Sequence, residues 1–151
     1  MPTALRAALA PCTAALLAAL VAGCQAAPAG SQEVLVGGTD YAFDAPKAPT
    51  AGVTDVRFVN RGRVPHEMAF GQLHAGVTAD SVMAYAAAGH DPGDLADVVG
   101  ILIANPGDTA VGALRVNLLP GRTYMMICSF RDADSLPPHL AMGMQASFVV
   151  K

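Results

Sequence analysis

LLPGRTYMMIC (residues 118–128), SFRDADSLPP (129–138) and HLAMGMQASFVV (139–150) form the stretch on which the reading of this chain turns. The proline-glycine pair at Pro120-Gly121 launches a strand-like run that ends in Cys128. Ten residues follow in which Asp132, Asp134 and Pro137-Pro138 favour turns. The chain then presents His139, Met142 and Met144 before a last apolar run, residues 145–150. A thiol, an imidazole and two thioethers therefore gather around one connection between two strands.

Upstream, short segments of strand character recur between glycine and proline punctuation: residues 33–36, 40–43, 53–60, 66–70, 113–118 and 122–128. Val56 and Phe58 fall on one face, as do Leu114, Val116 and Leu118, while Arg57, Arg115 and Asn117 point the other way. The pattern predicts an all-β, Greek-key β-sandwich of seven or eight strands. One helical insertion interrupts it at residues 78–89, where Thr78 or Asp80 caps an alanine-rich run that Gly89 ends. The apolar run 98–104 reads as strand or loop.

The N-terminus has a different character. Of the chain's 151 residues 53% are hydrophobic and 14% charged, yet residues 1–32 carry only one charge, Arg6. A basic residue, an apolar run and small residues before Cys24 read as a signal peptide, residues 1–23, not a membrane span. Leu20-Val21-Ala22-Gly23-Cys24 resembles a bacterial lipoprotein cleavage box, with Cys24 the residue to be lipidated. Residues 24–32 are then lipidated cysteine and flexible tether, and residues 33–151 the folded domain. The expected protein is exported, lipid-anchored and faces the periplasm or cell exterior.

Cleavage leaves 128 residues, one domain, with 8 basic and 12 acidic side chains. That mildly acidic balance, without basic runs, argues against nucleic acid and against charge-driven lipid binding. Cys12 leaves with the leader and Cys24 takes the lipid, so Cys128 is the single free thiol and no disulfide forms. An unpaired cysteine in an oxidising compartment is either buried core or a metal thiolate.

Pro65-His66-Glu67-Met68 supplies a second histidine at the start of a strand. Copper alternates between a soft monovalent and a borderline divalent state, which sulfur and imidazole donors together can serve. A trigonal His2Cys set with a weak axial Met makes an electron-transfer site.

The region resembles the cupredoxin family, its plastocyanin-like members in particular. Those chains carry a tyrosine four residues before the cysteine, then a histidine, then a glycine-methionine pair whose methionine lies five residues beyond it. Tyr124, Cys128, His139 and Gly143-Met144 reproduce that spacing, and Pro65 precedes His66 as in the family. The resemblance implies His66, Cys128 and His139 as equatorial ligands and Met144 as axial ligand of copper, Cu(I)/Cu(II). Ten residues separate Cys128 from His139 where small blue copper proteins have a few, and Glu67 replaces an asparagine whose side chain ties the two ligand segments together. The long loop is similar to that of a group of exported bacterial cupredoxin-like lipoproteins.

The implied function is a type 1 copper single-electron carrier, not an enzyme. It would be a monomer that meets redox or copper-exchange protein partners and is held at the membrane by its lipid. Leu140, Ala141 and Met142 would form the exit patch for electrons. One alternative is a Cu(I)-binding or delivery protein using His66-Glu67-Met68 and Met142-Gly143-Met144. Another is a metal-free interaction domain, in which the four ligands would not converge. Met68 and Met142 are expected in core or rim, Tyr124 as a structural tyrosine corner, and His74 and His90 on the surface. Glu67 is expected at the surface or orienting His66, and Asp132 and Asp134 at a solvated loop tip or docking edge.

Overall fold

The computed structural model describes Met1 and residues 30–151. Residues 2–23 of the expected signal peptide, with Cys12, and residues 24–29 of the expected tether, with Cys24, lie outside the described residues. Eight strands run in chain order as β1 (Gln32–Thr39), β2 (Ala42–Asp44), β3 (Gly52–Asn60), β4 (His66–Leu73), β5 (Ala96–Ala104), β6 (Leu114–Leu118), β7 (Thr123–Ile127) and β8 (Gln145–Val149). One helix, α1 (Ala79–Ala87), and 3-10 turns at Pro92–Leu95 and His139–Met142 complete the described elements.

The strands form two four-stranded sheets, β2-β1-β3-β6 and β5-β4-β7-β8. Only β1 and β3 run parallel; the other neighbours are antiparallel. Val36, Val56 and Phe58 of the first sheet pack in one cluster with Met68, Phe70, Tyr124, Met126 and Phe148 of the second. This is the β-sandwich that the alternating pattern predicts, because period-2 apolar residues leave one face of each sheet to be covered. Burying each such side chain contributes about 1.5–3 kcal/mol.

β1 begins at Gln32, one residue before the expected domain boundary. The Gln32 side chain donates to Thr50 O (2.6 Å) and Thr54 Oγ1 (2.8 Å), so the ordered domain takes in the end of the expected tether.

The run left open as strand or loop is β5, an edge strand. Leu102 and Ala104 face inward and Ile101 and Ile103 outward, but the register against β4 slips between Phe70 and Gly71. That bulge breaks the alternation and hides the strand from a periodicity reading. The expected helix forms between Thr78, whose hydroxyl accepts from Ser81 N (3.1 Å), and Gly89, at φ +87°. Its Val82 packs on Leu73 of β4 and Met125 of β7, covering the outer face of the second sheet.

Tyr124 closes the sandwich away from water. Its ring stacks on Phe70 and Phe148, and its hydroxyl donates to Gln72 Oε1 (2.9 Å) and accepts from Leu119 N (3.2 Å). The hydrogen bond back to a residue five positions upstream is the tyrosine-corner role expected of it.

Candidate metal centre

His66 is delivered by a turn wound around a buried amide. Asn60 ends β3; its Nδ2 donates to Val64 O (2.8 Å) and Ala104 O (3.0 Å), and its Oδ1 accepts from Gly62 N (2.8 Å). Asp40, between β1 and β2, holds the same turn by accepting from Arg63 N at 2.9 Å. Pro65 then restricts the entry to His66, the first residue of β4, paired with Ala104. Its imidazole is fully buried, with Nε2 at 2.9 Å from Asp40 Oδ1.

Cys128 directly follows β7 and is also fully buried. Burial pushes its thiol pKa up, against the backbone N–H groups of Glu67 and Phe130, which lower it. Glu67 N donates to Sγ at 3.4 Å.

His139 arrives by the long loop, which folds back on itself rather than swinging away. His139 N donates to Phe130 O (2.8 Å) and Leu140 N to Cys128 O (2.8 Å), so the ends of the ten-residue excursion are pinned together. Met144 N donates to His139 O (3.0 Å) and Cys128 N to Met144 O (3.2 Å). The tight return needs Gly143, whose φ of +108° is unfavourable for any residue with a Cβ. The His139 ring is 1% exposed, with Nε2 at 3.1 Å from Asp132 Oδ1. Tyr41 donates its hydroxyl to Asp132 and lays its ring 4.7 Å from that of His139.

The three candidate donors converge. His66 Nδ1 lies 3.1 Å from His139 Nδ1, and Cys128 Sγ lies 3.4 Å from His139 Nδ1 and 3.9 Å from His66 Nδ1. Among the described residues they are the one group of three or more His, Cys, Asp or Glu side chains whose ligand atoms lie within 4.8 Å of one another. Met144 is fully buried and backbone-bonded to both Cys128 and His139.

The carboxylates behind the two histidines suit this cluster to a cation. Burial would raise the Asp40 carboxyl, but hydrogen bonds from His66 and Arg63 hold it at about 2. Asp132 is held below the usual carboxylate range by the Tyr41 hydroxyl first and by His139. Ionised carboxylates only accept, so they favour the tautomer with the proton on Nε2 of each histidine, which leaves an Nδ1 lone pair facing inward. Two lone pairs 3.1 Å apart beside a sulfur repel one another unless a proton or a metal ion lies between them. Two imidazoles and a sulfur suit copper in both of its oxidation states.

Two acidic residues have partners that their expected positions did not include. Glu67 is buried, 8% exposed, and its Oε1 accepts from Ser129 N at 2.7 Å. It thus ties the His66 segment to the Cys128 segment, the task the family gives to an asparagine. Asp132 is exposed, as Asp134 is, but its Oδ1 is in addition the partner of His139. Met68 lies in the core, Met142 is 37% exposed, and His74 and His90 are at the surface, as expected, but Leu140 of the expected exit patch is buried and only Ala141 and Met142 are exposed. Asp40, Tyr41, Asn60 and Gly62 escaped the sequence reading, because they come to the site only through the pairing of β1 with β3.

A two-sheet sandwich with His66 on one strand and Cys128, His139 and Met144 around the last inter-strand connection has the cupredoxin fold. No protein-family model matches the sequence, and no curated protein matches it. Among solved structures it is similar to a dithionite-reduced auracyanin of the photosynthetic bacterium Roseiflexus castenholzii, with a TM-score of 0.53 and 20% identity over 80% of this chain and 98% of that one. Auracyanin A of Chloroflexus aurantiacus, a "blue" copper protein, gives 0.50 and 19% over 81% and 100%. Auracyanin B gives 0.50 and 24% over 80% and 88%.

Proposed function

We propose that the protein is a type 1 copper single-electron carrier, exported and lipid-anchored through Cys24. The observation that carries the reading is the convergence of His66 Nδ1, His139 Nδ1 and Cys128 Sγ in a pocket from which water is excluded. Copper, when bound, would supply the one-electron redox couple. Cys128 would hold it as thiolate, His66 and His139 as neutral imidazoles, and Met144 as the weak axial contact. The chain's own task is to keep those groups still: β4, β7 and the His139–Met142 turn are cross-linked by Glu67 and by the backbone bonds of Cys128. A site that keeps one geometry reorganises little when an electron moves. The similarity to auracyanin A, a "blue" copper protein, supports this reading.

Copper titration tests it. The native protein is expected to develop the intense visible absorption of a thiolate–Cu(II) bond, and Cys128→Ser to stay colourless. Cu(I) uptake without that colour in either protein would instead favour the delivery reading. The structure gives that alternative little support, since Met68 is in the core and Met142 at the surface. The metal-free alternative required ligands that do not meet. For the anchor, supported by the sequence around Cys24, Cys24→Ala is expected to move the protein from the membrane to the soluble fraction. Unchanged membrane association would sink that part.

A further inference from the structure

We propose that Asp40 and Asp132 are paired positioning residues of this centre: each takes the outer N–H of one ligand histidine, aims its Nδ1 inward, and adds a negative charge that favours divalent over monovalent copper. The inference rests on the copper reading above.

Two unrelated backbone segments converge on the same contact. Asp40 comes from the β1–β2 connection and reaches His66 Nε2 at 2.9 Å; Asp132 comes from the loop after Cys128 and reaches His139 Nε2 at 3.1 Å. Both rings are within 1% of complete burial, so without these oxygens their outer N–H groups would lack a partner.

Each carboxylate is itself held. Arg63 N donates to both oxygens of Asp40, at 2.9 and 3.0 Å, and the Tyr41 hydroxyl donates to the oxygen of Asp132 that His139 does not use. The backbone also leaves room for the first pair: a Cβ on Gly62 would stand 2.2 Å from Asp40 Oδ1 and 2.9 Å from His66 Nε2. A carboxylate on the outer nitrogen of a ligand histidine fixes its tautomer and makes it a stronger donor.

The charge follows from the same geometry. With a Cys128 thiolate and two aspartates, beside buried Glu67, the surroundings carry at least three negative charges against two positive on Cu(II) or one on Cu(I). The divalent ion is therefore favoured. The Arg63 guanidinium lies 3.3 Å from Asp40 but its side chain is 93% exposed, so water screens its offset.

The test measures the midpoint potential of copper-loaded Asp40→Asn, Asp132→Asn and the double variant, following the thiolate–Cu(II) absorption. Asparagine keeps the size and one acceptor oxygen for the histidine N–H, while its NH2 cannot accept from Arg63 N at Asp40 or from the Tyr41 hydroxyl at Asp132, so potentials are compared only among variants that keep the native absorption. Each substitution is expected to shift preference toward Cu(I) about tenfold, an upward change of about 59 mV for one electron, with the double variant close to the sum. Potentials equal to native in variants that keep their colour would overturn the proposal and leave the copper reading standing. A native protein that never colours would sink that reading instead.

A second measurement needs neither copper nor a variant. Nitrogen-15 shifts of the imidazoles in the metal-free, reduced native protein are expected to show Nε2-protonated His66 and His139. An Nδ1-only tautomer at either would overturn the positioning role.

Discussion

His66 and His139 place the same atom, Nδ1, at the same point, but they are supported differently. His66 is the first residue of a strand paired on the sheet, and the turn before it is wound around Asn60. His139 sits at the end of ten residues with no strand of their own, held by backbone bonds to Phe130 and from Leu140 to Cys128. Each ring nonetheless ends buried, with a carboxylate on its outer nitrogen. Precision at a loop-borne ligand therefore comes from closing the loop at its root, and the length in between matters little.

The largest effect is expected where both arms share a support. Phe58→Ala removes a fully buried ring of β3 at the centre of the sandwich, and is expected to cost about 3–5 kcal/mol in urea unfolding. A loss below about 1 kcal/mol would mean that the sandwich core does not hold the arms.

Gly62→Ala strikes the His66 arm alone. Its Cβ would intrude at 2.2 Å on Asp40, and copper affinity is expected to fall about 10–100-fold in competition titrations. Asp134→Asn, exposed in the middle of the other arm's loop, is expected to change neither affinity nor stability beyond about 0.5 kcal/mol. Equal sensitivity at the two positions would erase the distinction between sheet-held and root-held ligands.

Glu67 probes the tie between the arms. Glu67→Ala leaves Ser129 N without its acceptor, at an expected cost of about 1–3 kcal/mol. Glu67→Gln, which keeps an acceptor oxygen, is expected to recover most of it. Equal losses in the two variants would show that charge rather than the hydrogen bond matters there.

How much of this was legible in the sequence follows from range along the chain. Strand alternation in residues 53–60 and 113–118, and the spacing of Tyr124, Cys128, His139 and Met144, are local signals that survive folding intact. Their products, β3, β6 and the last-loop cluster, appeared as expected. β5 was ambiguous because a bulge breaks its period. Asp40, Tyr41 and Gly62 were invisible because nothing local marks an aspartate destined for a histidine 26 residues away. Glu67 and Asp132 were seen but their partners were not, since a charged residue beside a ligand or in a loop reads as solvated until its partner is known.

A smaller effect lies on neither arm. Asp55 faces Arg115 directly across β3 and β6, and hydrogen bonds from Arg115 and Ser31 hold its carboxyl at about 2 against an ordinary 3.8. A depressed folded value means that this pair stabilises fully above about pH 4 and is lost as pH falls through about 2. Asp55→Asn is expected to flatten that part of the acid unfolding curve and leave the copper absorption unchanged. An acid limb identical to native would show that the ion pair contributes nothing.

The central claim is that the two differently supported histidines and the one free thiol of the domain hold a single metal ion. X-ray absorption fine structure at the copper edge of the loaded protein measures this most directly. One short sulfur and two imidazole nitrogens are expected around copper, with the sulfur absent in Cys128→Ser. A shell of nitrogen and oxygen alone in the native protein would contradict it.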